Sequence, residues 1–136
     1  MRSNSILLAG LLLASTGPAT AATTTNARAE ASLEKALAGR VAGKPQDCIA
    51  LHDIDSTEIF DNTAILYRTI GGALYVNRPR SGLASLNSDD ILVTENTTPE
   101  LCSIDTVKLF DRTSRIPSGF VFLGPFVPYA KSPVAK

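Results

Sequence analysis

The stretch TAILYRTIGGALYVNRPR, residues 63–80, carries the clearest structural signal in this chain. Two runs rich in β-branched and aromatic residues flank Gly71 and Gly72. Because glycine adopts the positive φ angles that tight hairpin turns require, the pattern predicts an antiparallel β-hairpin. A turn centred on the two glycines fixes the register, and Ile65 is then expected to pair with Arg78.

The predicted register divides the hairpin into two faces. Arg68 is expected opposite Tyr75 on one face, with Asn77 beside them. These three residues form either a small binding face or a solvent-exposed wall on which the guanidinium stacks against the ring. The other face is expected to join the core, and it consists of Ile65, Tyr67, Leu74 and Val76.

From Cys48 onward, seven short runs of β-branched and aromatic residues alternate with turn signals. Such a series predicts a mainly β (α+β) fold, built either as a small antiparallel barrel or as a two-sheet roll. The runs are CIALHDI (48–54), STEIFD (56–61), TAILYRTI (63–70), ALYVNRP (73–79), DILVTEN (90–96), DTVKLFD (105–111) and GFVFLG (119–124).

The apolar segment FVFLGPFVPYAK, residues 120–131, closes the series. Pro125 and Pro128 lack the backbone N–H that a central strand needs, so the segment is expected to form a closing edge strand. Its phenylalanines indicate burial. A proline-rich docking segment is the alternative interpretation.

One helix is predicted before the strands, in RAEASLEKALAGRVAGK, residues 28–44. Leu33, Leu37 and Val41 recur at steps of four, which is typical of an amphipathic helix, and Gly43 is the expected stop signal. The apolar stripe is narrow, so the helix is expected to pack on a larger body through one edge.

The N-terminus predicts export. Arg2 precedes an apolar run over residues 6–14, and the small side chains of Ala19 and Ala21 follow. This arrangement is typical of a secretory signal peptide, here residues 1–21, and predicts a periplasmic or secreted protein. Because a membrane-spanning helix needs about 20 apolar residues, no transmembrane segment is expected after cleavage.

Removal of 21 of the 136 residues leaves 115, the size of one domain. We expect a leader and amphipathic helix over residues 22–46, a β domain over 47–131 and a tail over 132–136. The whole chain carries 13 basic and 13 acidic side chains. This balance gives no electrostatic reason to expect a nucleic acid partner.

Two cysteines, Cys48 and Cys102, are expected to enter an oxidising compartment and to form a disulfide. Two buried thiols or a metal pair are the alternatives, although the spacing lacks the C-x-x-C pattern of metal sites. The stretch TTPELC, residues 97–102, is expected to form one helical turn that carries Cys102 toward its partner.

His52 is the only histidine, and it lies beside Asp53 and Asp55. A small hydrolase or a metal-binding protein could use these residues, but in an extended strand the imidazole points away from both carboxylates. The chain has no Gly-x-Ser-x-Gly motif. The sequence therefore assigns no catalytic residue, no metal ligand and no cofactor.

Four segments together resemble an uncharacterised family of small exported proteobacterial proteins, a domain of unknown function. They are GKPQDCIAL, TAILYRTIGGALYVNRPR, ELCSID and LGPFVPY, within residues 43–129. The resemblance implies export and a compact β domain, and it implies no activity. Members of that family often carry two further cysteines, where this chain reads RSGLASL and GFVFLG, which supports pairing of the remaining Cys48 and Cys102.

The sequence thus predicts an exported, non-catalytic β-domain protein that acts as a binding or envelope-associated module, with an unknown protein or small-molecule partner. Two alternatives remain open. One is a periplasmic hydrolase or metal-binding protein that uses His52 with the nearby aspartates. The other is an inhibitor or partner-binding protein that uses the face formed by Arg68, Tyr75 and Asn77.

Overall fold

The computed structural model describes residues 26–133, which form one α-helix and ten β-strands. The predicted signal peptide and most of the predicted leader lie outside the described residues, as does the end of the predicted tail. Helix α1 spans Ala27–Ala36. The strands are β1 (Arg40–Ala42), β2 (Cys48–Ala50), β3 (Ile54–Phe60), β4 (Ala64–Thr69), β5 (Leu74–Asn77), β6 (Asp90–Thr94), β7 (Glu100–Cys102), β8 (Thr106–Asp111), β9 (Pro117–Phe122) and β10 (Phe126–Lys131).

Helix α1 is shorter than predicted. The side chain of Asn26 caps it by accepting hydrogen bonds from the backbone N–H groups of Arg28 and Ala29, at 3.2 and 3.4 Å. The helix stops before Gly39, which has a φ of +75° and turns the chain into β1. Val41 therefore belongs to a strand and not to the apolar stripe of the helix, so that part of the prediction was wrong.

The strands form three antiparallel sheets, which confirms the predicted mainly β (α+β) class. The largest has the order β1-β10-β5-β4-β3, a second has the order β6-β8-β9, and β2 pairs with β7. All seven predicted strands are present, although the bounds of each differ from its prediction. Residues 97–102 do not form the predicted helical turn, because residues 100–102 pair with β2 as β7.

The C-terminal strand β10 lies inside its sheet, between β1 and β5, so the predicted edge position was wrong. Pro128 pairs with Tyr75 on the β5 side. On the other side, its carbonyl accepts the N–H of Gly43 at 2.7 Å, beyond the last residue of β1. In an antiparallel sheet, the N–H and C=O groups of one residue point to the same side. The N–H that Pro128 lacks would therefore point toward the end of β1, so its absence does not affect the hydrogen bonds between β10 and β5.

The central hairpin forms with a register one residue away from the predicted one. Its loop comprises residues 70–72 and ends in Gly72, whose φ is 84°. Arg68 therefore pairs with Leu74 and not with Tyr75. A glycine pair is compatible with both a two-residue and a three-residue loop, and the longer loop needs a positive φ at only one of the glycines.

Both faces of the five-stranded sheet are covered around β4, which explains why all of residues 64–67 are buried. Helix α1 covers one face, and this core contains Ala29, Leu33, Phe60, Ala64, Leu66, Leu74 and Val76. The opposite face meets the three-stranded sheet, and this second core contains Ile49, Ile59, Ile65, Tyr67, Leu86, Leu101, Val107, Leu109, Val121, Leu123 and Phe126. The four predicted core residues of the hairpin are buried, two in each core.

The two larger sheets form a partly closed barrel around the second core. On one side, the segment after β5 joins them, since the N–H of Arg80 donates to the carbonyl of Phe122 at 2.9 Å and the N–H of Phe122 donates to Ser81 at 3.1 Å. On the other side, β3 and β6 are the edge strands of separate sheets. The fold therefore lies between the two predicted alternatives, the closed barrel and the two-sheet roll.

The predicted disulfide is present between Cys48 and Cys102, which face each other across the β2–β7 ladder. The cysteines flank Ile49 and Leu101, whose side chains are buried in the second core. The small β2–β7 sheet therefore caps one end of the partly closed barrel, and the disulfide links its two strands covalently.

Candidate functional site

The strongest candidate site is the gap between β3 and β6, which we call the seam. An outer cleft of about 510 Å³ opens there. Carboxylates, a guanidinium and hydroxyls mix with apolar side chains along its walls. The cleft is lined by Thr57, Glu58, Ile59, Ser88, Asp90, Ile91, Leu92 and Arg112.

A second space of about 230 Å³ borders the second core and, like the cleft, is open to the surface; we call it the inner cavity. It shares Thr57 and Leu92 with the outer cleft, so the two spaces adjoin. Apolar side chains line it together with two threonines and one tyrosine. The lining residues are Leu51, Ile54, Thr57, Tyr67, Leu92, Thr94 and Leu101.

Tyr67 is the unusual member of this lining. Only 2% of the residue is exposed, and its hydroxyl has no hydrogen-bond partner. Its ring makes an edge-to-face contact with Phe126 at a centroid distance of 5.6 Å. Burial raises the pKa of Tyr67 well above its ordinary value, because the charged phenolate would lose its hydration. The group is therefore a neutral hydroxyl with a free donor and acceptor.

Asp90 is the second buried polar group of the seam. The residue is 5% exposed, and its carboxylate accepts a hydrogen bond from the Ser118 hydroxyl at 2.6 Å. Within residues 26–133, no side-chain cation forms an ion pair with it. Arg112 lines the same cleft but is exposed. A buried carboxylate with one neutral partner can accept a cation from a ligand.

The predicted binding face of the hairpin does not exist as one surface. Arg68 lies on the helix side of the sheet, where its guanidinium pairs with Glu58. Tyr75 and Asn77 lie on the opposite side, because the register is shifted by one residue. Asn77 is fully buried, and its amide exchanges two hydrogen bonds with the backbone of Gly124, at 2.6 and 3.0 Å.

Each of these three residues therefore has a structural environment of its own. Arg68 is part of an ion pair, and Asn77 joins β5 to the turn before β10. Tyr75 is half-buried and lines a separate surface cavity of about 410 Å³ between the hairpin loop and β2. No shared face supports a common binding role for the three.

The residues of the hydrolase and metal hypotheses are exposed. His52 lies in a 3₁₀ turn, Leu51–Asp53, with its Nε2 atom 3.3 Å from the Asp53 carboxylate. Asp55 is exposed at the irregular start of β3. Among the described residues, the only three side chains that converge like metal ligands are Cys48, Glu100 and Cys102, and their two sulfur atoms form the disulfide.

The predicted burial of the C-terminal phenylalanines holds only for Phe126. Phe120 and Phe122 are 54% and 41% exposed on the outer side of β9, and their rings contact each other edge to face. Their exposure follows from alternation, since the intervening Val121 faces the second core.

Sequence reasoning did not identify the seam. It placed Tyr67 in the core, which is correct, but a sequence pattern does not reveal that a buried hydroxyl lacks a partner. Asp90 was placed at the start of a predicted strand, DILVTEN, and was given no functional role. A signal was present, since Asp90, Leu92 and Thr94 alternate along β6 and thus share one face.

Comparisons of the chain with models of known protein families, with curated protein sequences and with solved structures gave no match. The resemblance to an exported proteobacterial family therefore remains a prediction. Over residues 26–133, no helix has the length and apolar character needed to cross a bilayer.

Proposed function

We propose that this protein is an exported, non-catalytic binding module and that the seam is its binding site. The observation that carries this proposal is the unpartnered hydroxyl of Tyr67, a residue that lines the inner cavity. Because the oxygen itself is buried, a ligand reaches it by displacing side chains of the cavity wall. A buried hydroxyl without a partner costs about 1–3 kcal/mol. A ligand that supplies a hydrogen bond to this oxygen removes that cost on binding.

The composition of the seam favours a particular ligand chemistry. The inner cavity offers apolar contacts from Leu51, Leu92 and Leu101, which line it together with Tyr67. The outer cleft adds polar groups that can orient a ligand. An apolar body and a few convergent polar groups are typical of sites that hold a ligand with one polar end.

The chemistry of the seam supports binding better than catalysis. His52, the only histidine of the chain, lies in an exposed turn and is not among the residues that line the seam. The Ser118 hydroxyl donates a hydrogen bond to Asp90. A serine nucleophile also needs a general base such as histidine, and among the described residues no histidine lines the seam. Export rests on the predicted signal peptide and agrees with the disulfide.

A small probe tests this proposal. We would titrate 1-hexanol into ¹⁵N-labelled protein and follow amide chemical shifts. This probe is suitable because its hydroxyl can pair with Tyr67 and its apolar tail can contact the leucines of the inner cavity. We expect shifts at Thr57, Tyr67 and Leu92. Tyr67→Phe should weaken binding by about 3- to 10-fold, the value of one hydrogen bond.

Tyr129→Phe is the matched control, because Tyr129 is half-buried on β10 and lines neither part of the seam. It should leave the affinity unchanged. Shifts confined to the exposed phenylalanines of β9, or equal binding by Tyr67→Phe and the unaltered protein, would contradict the proposal.

A further inference from the structure

Both walls of the seam are free strand edges. Among the described residues, β3 pairs only with β4, and β6 pairs only with β8. Outward-facing backbone groups in the middle of each edge are therefore open to a further strand, whereas at the ends the N–H groups of Ile54 and Asp90 donate to Leu51 and Asn87. Ile59 lies near the Asp90 end of β6 and Ile54 near the Thr94 end, so the two edges run side by side in opposite directions. An extended polypeptide can form backbone hydrogen bonds with both of these edges, so it is the ligand class that fits between them.

The alternation of β6 sets which side chains such a strand would meet. Leu92 pairs with Leu109, which is fully buried, so Leu92 faces the second core. Asp90 and Thr94 share that face because side chains alternate along a strand. An inserted strand would thus present every second side chain to Asp90, to the inner cavity and to Thr94.

Charge complementarity indicates which residue of the inserted strand would lie beside Asp90. Asp90 is buried and has no cationic partner within residues 26–133, whereas Glu58 on the opposite wall is paired with Arg68. A Lys or Arg side chain delivered by the partner would neutralise Asp90. Arg112 is the competing cation of this chain, but it lies at the exposed rim.

We propose that the partner of this protein is an extended polypeptide segment of about five residues, the length of β6, that adds as a strand between β3 and β6. It places a Lys or Arg side chain beside Asp90 and an apolar side chain in the inner cavity. This inference rests on the proposed function of the seam and specifies the class of its ligand.

The test uses two synthetic peptides, acetyl-Lys-Thr-Leu-Thr-Val-amide and the reversed acetyl-Val-Thr-Leu-Thr-Lys-amide. Both are needed because the two walls are antiparallel, so each peptide is antiparallel to one wall. We expect one of them to bind, with amide shifts along β3 and β6. The same peptide with both threonine nitrogens methylated should bind much more weakly, because its side chains remain while the two N–H groups that face one wall are replaced by methyl groups that obstruct pairing there.

Asp90→Asn keeps the shape and the acceptor for Ser118, and it should weaken the peptide by about 10- to 100-fold. Asp89→Asn, at the exposed neighbouring position, is the matched control and should have no effect. A peptide with norleucine in place of lysine removes the same charge pair while the protein is unaltered, and it should show a similar loss of affinity. The test therefore does not depend on the folding of the Asp90→Asn variant.

The outcomes separate the two proposals. If 1-hexanol binds in the seam and neither peptide does, the peptide inference is overturned and the proposed binding site stands. If the methylated peptide binds as well as its parent, the claim that the ligand adds as a strand is overturned. If norleucine replaces lysine without loss of affinity, the claim that Asp90 binds a cationic side chain is overturned. If neither 1-hexanol nor either peptide shifts a seam amide, both proposals fail.

Discussion

At the scale of single residues, the hydroxyl of Tyr67 has an unusual relation to stability. A buried tyrosine normally donates a hydrogen bond that is lost on substitution by phenylalanine, but this hydroxyl has none. Tyr67→Phe should therefore leave the free energy of unfolding unchanged at pH 7, or raise it by about 1 kcal/mol. Urea unfolding of ligand-free protein measures this, and a loss greater than about 1 kcal/mol would show that the hydroxyl has a partner.

The same residue predicts an alkaline effect with a defined sign. Burial raises the pKa of Tyr67 in the folded protein above its value of about 10 in the unfolded chain. The unfolded state therefore loses its proton first, and the stability contributed by the neutral phenol decreases as the pH rises above about 10. Tyr67→Phe should unfold less readily than the unaltered protein above that pH, and Tyr129→Phe serves as the control.

At the scale of elements, an ion pair attaches helix α1 to the end of the central hairpin. The Arg78 guanidinium donates to both carboxylate oxygens of Glu30, at 2.5 and 3.0 Å. These hydrogen bonds lower the pKa of Glu30. The helix also contacts the five-stranded sheet through Ala29 and Leu33, so the ion pair supplements an apolar contact.

Glu30→Gln should reduce the free energy of unfolding by about 0.5–1 kcal/mol at pH 7, the value of a partly exposed pair with good geometry. Because the pKa is lower in the folded state, this stability is present above the unfolded value of about 4.3 and is lost as the pH falls through the folded value. Urea unfolding at pH 7 and pH 3 measures the difference. Glu34→Gln, at an exposed position of the same helix, should show neither effect.

A second element, the segment after β5, closes the barrel on the side opposite the seam. Gly82 has a φ of +85°, and a Cβ atom there would collide with the carbonyl oxygen of Phe120. Gly82→Ala should therefore cost about 2–4 kcal/mol through backbone strain and overpacking. In the hairpin loop, Gly71→Ala meets no atom within 4 Å and should stay within about 0.5 kcal/mol. Similar thermal midpoints for the two variants would contradict this account.

At the scale of the whole molecule, local signals in the sequence predicted the strands and long-range contacts determined the rest. The seven strands were found because alternation and turn residues are local properties. The short β1 and β7 lack such a signal, since each exists only through its partner in another part of the chain. The interior position of β10 follows from its pairing with β1, which lies far away in the sequence.

The candidate site shows the same division. The face of Arg68 and Tyr75 depended on a register that Gly71 and Gly72 left open, and a shift of one residue separated them. The seam depends on two edges that are remote in sequence and remain unpaired. The free hydroxyl of Tyr67 is defined by the missing partner, and no pattern along the chain encodes a missing partner.

The disulfide connects the stability of the whole molecule to the seam. It joins residues separated by 54 positions, and in the chain-entropy model such a loop contributes about 4 kcal/mol. Cys48→Ala combined with Cys102→Ala should lower the free energy of unfolding by about that amount. Urea unfolding of the variant measures this loss, and a change below about 1 kcal/mol would show that the bond contributes little.

The same variant should also bind 1-hexanol more weakly at a temperature where it remains folded. The reason is that Leu101, which lines the inner cavity, lies beside Cys102 in the β2–β7 cap. Reduction of the unaltered protein should reproduce the weaker binding, with a mass increase of two hydrogens that confirms the open disulfide. Unchanged affinity in both cases would mean that β2 and β7 hold the cavity wall without the covalent link, and that the redox state of the cysteines affects stability alone.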